Sequence, residues 1–289
     1  MINEMSLSML AMTAGAGLAA GAVASLVAEH LPDALIRGWR GEARAVLELD
    51  GSAITEAPTR FTDPIHHNCW HCDGRQPLLA SIPILSWVLP NRCPEGHPTT
   101  PGQRWERAGL EVLSLVMVFG VISLQGATWA AAAVAGACLL LLALTAIDVR
   151  TYLLPDSLTL PLLWAGLLFQ WYFHPERLPD AVIGAMLGYL LLWGIYWAFR
   201  LATGRHAMGY GDFKLLAALG AWTGWQTLPA ILLIAAVAGA LIGVIAQRLT
   251  PALRDHPIPF GPFLAIGGWA SLIGGDEITT LLQAIYFPG

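Results

Sequence analysis

Long apolar runs dominate the chain, most of them near the roughly 20 residues that cross a hydrocarbon core as a helix. They fall near 7–28, 108–126, 127–147, 157–173, 181–201, 227–247 and 259–275, with a shorter eighth run near 212–225. Polar residues gather between the first two runs, across 29–107. This pattern predicts an all-α integral membrane protein of about eight transmembrane helices, with a small soluble domain between helices 1 and 2. The expected organisation is a first transmembrane helix in 1–28, a polar domain in 29–107 and a transmembrane region in 108–289. Composition agrees, because 56% hydrophobic against 12% charged residues lies far from the soluble average.

Basic residues orient these spans, since Lys and Arg accumulate in cytoplasmic loops near membrane ends. If all eight runs cross, every one of the 15 Lys and Arg residues except Arg177 falls on one side. A crossing at 212–225 is needed to keep Arg248 and Arg254 there. Both termini are then expected to face outward, with 29–107 in the cytoplasm. That first loop is long, so Arg37, Arg40, Arg104 and Arg107, nearest the membrane, weigh most. Residues 1–6 contain Glu4 and no basic residue, unlike a secretory signal, so the first helix is expected to be retained. Its Gly17-Leu18-Ala19-Ala20-Gly21 is a small-xxx-small face suited to close helix packing. Gly15-Ala16-Gly17 follows no strand and is not read as a nucleotide loop. A net charge of −5 and arginines distributed as topology signals give no support for nucleic-acid binding.

The polar stretch holds three of the four cysteines. Cys69-Trp70-His71-Cys72 is followed, after 20 intervening residues, by Cys93-Pro94-Glu95-Gly96-His97. Paired spacing of this kind suits a structural zinc ion, with Cys69, Cys72, Cys93 and His97 as candidate ligands. A small domain with few apolar residues draws much of its folding free energy from such a clip. His66, His67 and His71 are rival ligands, and reduced structural cysteines or a redox pair are the competing readings. Cys138 lies in the middle of an apolar run, where packing is the expected role.

Two carboxylates stand against apolar runs: Asp148 at the end of the third, and Asp212 at the start of the sixth, within Gly209-Tyr210-Gly211-Asp212. An ionised group beside hydrocarbon costs a few kcal/mol even on lenient scales, so such acids are functional candidates. The orientation above puts both on the cytoplasmic side. Asp212 would lie by the exposed amides and positive end of its helix. Gly209 and Gly211 would let a substrate backbone approach closely. Two acids of this kind suit aspartic proteolysis, in which an ionised carboxylate takes a proton from water and its protonated partner donates to the scissile carbonyl. The competing readings are a helix cap at Asp212 and a solvated helix end at Asp148. Asp156, between Pro155 and Ser157, reads as an N-cap, and Asp276 and Glu277 as interfacial. Lys214, the only lysine, either tunes the site or anchors its helix at the interface.

Gly209-Tyr210-Gly211-Asp212-Phe213-Lys214-Leu215-Leu216-Ala217-Ala218-Leu219-Gly220 resembles the Gly-x-Gly-Asp segment of bacterial type IV prepilin leader peptidases. Ala146-Ile147-Asp148, with Leu154-Pro155-Asp156-Ser157-Leu158-Thr159-Leu160-Pro161-Leu162-Leu163-Trp164, is similar to the stretch carrying that family's first catalytic aspartate. Ile82-Pro83-Ile84-Leu85-Ser86-Trp87 and Pro259-Phe260-Gly261-Pro262-Phe263-Leu264 also match. The resemblance implies an eight-span enzyme of the bacterial inner membrane with its active site on the cytoplasmic side. It would remove, after a glycine, the basic leader of type IV prepilins and type II secretion pseudopilins. Asp148 and Asp212 would be catalytic, with Gly209, Gly211 and Lys214 in support. Its partners would be these precursors and the lipid bilayer. Many members also methylate the new N-terminus with S-adenosylmethionine.

Three departures bear on that second activity. The family's Gly-Ser-Phe-Leu-Asn pattern is replaced by Gly21, Ala22, Val23, Ala24 and Ser25, and His30 precedes Leu31-Pro32 where arginine is common. Gly96 stands where a cysteine is expected, with His97 next to it. The Arg-Tyr-Pro-x-x-Glu entry to the second span becomes Arg104-Trp105-Glu106, with Glu106 or Glu111 as the matching acid. A peptidase without methyltransferase activity, and a catalytically inactive zinc-binding membrane scaffold, therefore stand as alternatives. Transport fits less well, since it calls for acids near the midplane and paired inverted halves. Glu42, Glu48, Asp50 and Glu56 would attract a basic leader or simply form a solvated loop face.

Overall fold

A computed structural model describes residues 15–28, 31, 35, 101–204, 208–249 and 258–286, and all regular structure among them is helical. The helices are α1 (Gly15–Ala28), α2 (Pro101–Gln125), α3 (Trp129–Thr151), α4 (Asp156–Phe173), α5 (Leu178–Thr203), α6 (Tyr210–Thr223), α7 (Leu228–Leu249) and α8 (Gly261–Tyr286). Single 3-10 turns, Pro175–Arg177 and Trp225–Thr227, lead into α5 and α7. Four stretches are long and apolar enough to cross a membrane: Trp105–Gln125, Trp129–Thr151, Pro175–Thr203 and Trp225–Ile245. Gly15–Ala28 and Gly261–Gly274 are apolar but shorter. The described residues are thus those of an all-helical membrane protein. The candidate zinc ligands Cys69, Cys72, Cys93 and His97, their rivals, and the acids Glu42, Glu48, Asp50 and Glu56 lie outside the described residues. Among the described residues, no cluster of three or more His, Cys, Asp or Glu side chains is arranged to hold a metal.

The chain divides into two compact units at Phe119 and Gly120. In the first, α1 meets α2 through the glycine face expected from the sequence. A Cβ on Gly17 would stand 2.9 Å from the Leu115 Cα, and one on Gly21 would strike the Ser114 hydroxyl. That hydroxyl donates to the Gly17 carbonyl at 2.7 Å. Glu111, one turn earlier on α2, is buried, whereas Glu106 is exposed.

The second unit is built around α6, which is buried from Asp212 to Trp222 at every residue but Lys214. Small residues bring its neighbours to backbone contact. A Cβ on Gly220 would overlap the Gly184 carbonyl of α5, and one on Gly188 would stand 2.6 Å from the Leu216 carbonyl oxygen. On the α4 side, Trp222 lies over Gly166 and donates its indole N–H to the Leu162 carbonyl at 2.8 Å. Gln170 donates to the Trp222 carbonyl at 2.6 Å. α8 closes over the opposite side, with Gly268 against Leu219 and Gly267 against Ile231 of α7. Cys138, read as a packing residue, is buried, and its carbonyl accepts the Trp269 indole N–H at 3.2 Å.

Candidate active site

Asp148 lies in the last turn of α3. The helix ends at Tyr152, which adopts the left-handed conformation (φ 56°) and donates its N–H to the Asp148 carbonyl at 2.8 Å. A non-glycine residue there is uncommon, and its cost must be met by surrounding contacts. The Asp148 side chain points inward and is 5% exposed. Its Oδ2 accepts the Gly261 backbone N–H at 3.1 Å. Gly261 opens α8, so this amide is one of those a helix start leaves without an internal partner. Asp148 therefore supplies from α3 the acceptor that α8 lacks, and rests at the positive end of the α8 dipole.

Asp212 is held in a related way. Gly209, in extended conformation, caps α6, and Asp212 lies in its first turn, 6% exposed. The expected position beside a helix N-terminus is therefore met. Asp148 and Asp212 are near enough for their charges to interact. Two acids 64 positions apart in the sequence thus come together, Asp212 in the first turn of α6 and Asp148 at the end of α3 with its carboxylate on the start of α8.

Leu154 shapes the space between them. A Cβ on Gly211 would stand 2.7 Å from the Leu154 Cβ, and one on Gly261 would stand 2.6 Å from the Asp148 Oδ2 and 3.3 Å from a Leu154 methyl. Gly211 is thus fixed by close packing against this leucine. Gly209 is exposed and its nearest side-chain neighbour is the Asp212 Oδ2, 3.8 Å from where a Cβ would sit. That leaves an open backbone beside the carboxylate.

Two residues depart from their sequence readings. Asp156 does not cap α4: Pro155 occupies that position without a side-chain cap, and Asp156 is the first helical residue. Its carboxylate instead takes both oxygens to the Lys214 ammonium, at 2.6 and 2.7 Å. Lys214 accordingly ties α6 to α4 and does not bond Asp212. Three contributors were not singled out for the site from the sequence. Gly261 and Leu154 stood in quoted segments without a role. The third is a hydroxyl cluster between α5 and the first residue of α6, in which Tyr210 donates to the buried Tyr196 hydroxyl at 3.4 Å and Arg200 donates to it at 3.3 Å while lying 5.0 Å over Trp197. Aromatic spacing alone gave no signal that these rings meet.

The model of the type IV leader peptidase family matches residues 134–244, which include both aspartates. A prepilin leader peptidase/N-methyltransferase of Aeromonas hydrophila is 44% identical over 260 residues, covering 90% of this chain and 88% of the relative. Proteins of the same description from Stutzerimonas stutzeri and Pseudomonas aeruginosa are 42% and 41% identical, each covering at least 90% of both chains. No solved structure matches. Identity of this level, running through the buried acids and almost the whole length of both partners, makes the chain a member of the type IV leader peptidase family.

Proposed function

We propose that this protein is an intramembrane aspartic endopeptidase that removes the basic leader of type IV prepilins and type II secretion pseudopilins, cutting after glycine on the cytoplasmic side of the bacterial inner membrane. The observation that carries the proposal is that Asp148 and Asp212 are both buried and that the glycines beside their carboxylates, Gly261 and Gly211, pack on the same Leu154, within the family match. The chain crosses the membrane eight times in this reading, with 29–107 as a cytoplasmic domain clipped by zinc on Cys69, Cys72, Cys93 and His97. The one-sided distribution of Lys and Arg supports that orientation.

The carboxylates act as one unit that shares a proton, so their titration belongs to the pair. The Gly261 N–H fixes the orientation of Asp148, and the first turn of α6 fixes Asp212. A water between them gives its proton to the ionised member, while the protonated member donates to the scissile carbonyl. The open backbone at Gly209 leaves room for an extended substrate strand beside the pair. Methylation of the new N-terminus from S-adenosylmethionine is a second activity, favoured by the description that the relatives carry.

Mass spectrometry tests both activities. A prepilin-like substrate is incubated with membranes holding wild type, Asp148→Asn or Asp212→Asn, with S-adenosylmethionine present. Loss of the leader with wild type alone supports the dyad, and an added methyl group on that product supports the second activity. Cleavage by both variants, or none by wild type across several substrates, would overturn the reading and favour the scaffold.

A further inference from the structure

We propose that the Lys214–Asp156 ion pair is a clasp that sets the spacing of the two carboxylates, making both of its members positioning residues. The inference rests on the reading of Asp148 and Asp212 as the catalytic pair. The two aspartates belong to different helices, and the chain between α3 and α4 is the short turn from Tyr152 to Pro155. That turn is held at three points. At its start, the Tyr152 N–H bonds the Asp148 carbonyl. In its middle, Leu154 packs on Gly211. At its end, Asp156 engages Lys214 through both oxygens. Lys214 is two residues past Asp212 on α6. The clasp therefore closes a ring running from Asp148 through the turn to α4, across to α6 and back to Asp212.

The left-handed Tyr152 gives this ring something to resist. A non-glycine residue in that conformation persists only where its surroundings over-determine it, and loosening one of the three contacts lets the turn relax. Lys214 and Asp156 have side chains 32% and 55% exposed. Exposed ion pairs add little to global stability. The effect is accordingly expected in turnover, not in unfolding. A misplacement of about 1 Å can cost about a hundredfold in rate, and a weak contact at this position acts directly on the carboxylate separation.

The test measures steady-state cleavage of a prepilin-like substrate by purified enzyme in detergent, normalised to folded protein. Lys214→Met and Asp156→Asn are each expected to lower kcat about fivefold, which corresponds to about 1 kcal/mol, with KM within twofold. Their thermal midpoints should stay close to wild type. The double variant should be no worse than the poorer single, and Lys214→Arg, which keeps a cation able to bond both Asp156 oxygens, should hold kcat within twofold of wild type. An unchanged kcat in both singles, or singles that multiply to about 25-fold, would overturn the clasp. So would a rise in KM alone, which would make Asp156 a contact for the substrate's basic leader. Asp148→Asn and Asp212→Asn run alongside. If these still cleave, the dyad reading fails; if they are dead while the clasp variants match wild type, only the clasp fails.

Discussion

Gly261→Ala isolates the most specific contact of the site. The residue does not adopt a left-handed φ, so alanine is allowed by the backbone and the perturbation is purely steric. The new methyl would stand 2.6 Å from the Asp148 Oδ2 and 3.2 Å from its Cγ. Real Cβ contacts essentially never fall below 3.0 Å, so the carboxylate must retreat by about 0.4 Å or more. The hydrogen bond from the Gly261 N–H, now 3.1 Å, lengthens with it. A hydrogen bond to a charged group contributes about 1.5–3 kcal/mol, and at about 1.4 kcal/mol per decade its loss predicts a fall in kcat of roughly ten- to hundredfold. KM should change little, because the methyl points at Asp148. The assay is leader cleavage by purified enzyme, with Gly136→Ala as control. That position is on the same helix as Asp148 and has nothing within 4 Å of an added Cβ. The control should keep wild-type kcat. A Gly261→Ala enzyme with wild-type kcat would refute the idea that α8 orients a catalytic Asp148.

Gly220→Ala, whose methyl would overlap the Gly184 carbonyl, should cost about 1–3 kcal/mol as overpacking, read as a lower thermal midpoint in detergent. Trp222→Phe removes the indole N–H donated to Leu162 and leaves that buried carbonyl without this donor, so a loss of about 1–3 kcal/mol is expected by the same measurement. Cys69→Ser combined with Cys93→Ser should abolish the zinc measured by elemental analysis of purified protein, while Cys138→Ser should leave it unchanged.

Much of the architecture was legible because hydrocarbon imposes a length and a composition on any helix that crosses it. The run at 157–173 corresponds to α4, that at 181–201 falls inside α5, and that at 227–247 begins one residue before α7 and ends within it. The short run at 212–225 is α6, displaced by two residues. Gly17 and Gly21 were readable because close packing demands small residues at one helical spacing. Asp212 could be picked out because an acid flanked by glycine and followed by apolar residues has few structural uses. The pairings were not legible. Asp156 carries every local mark of a cap, and the Lys214 that claims it lies 58 residues away. Gly261 meets its carboxylate across 113 residues. Periodicity describes what a helix buries, but not which neighbour supplies the surface.

The shortness of α6 also bears on the bilayer. Its 14 residues extend about 21 Å at 1.5 Å per residue, against a hydrocarbon thickness of about 30 Å. A lipid-facing helix of that length would have to thin the membrane or tilt its surroundings. α6 avoids that mismatch because other helices, and not acyl chains, surround it. Non-helical backbone and water are tolerated at such depth only inside a protein shell, and Gly209–Asp212 lies at the start of such a helix. If the proposed proteolysis occurs there, such a shell would admit the water that hydrolysis needs.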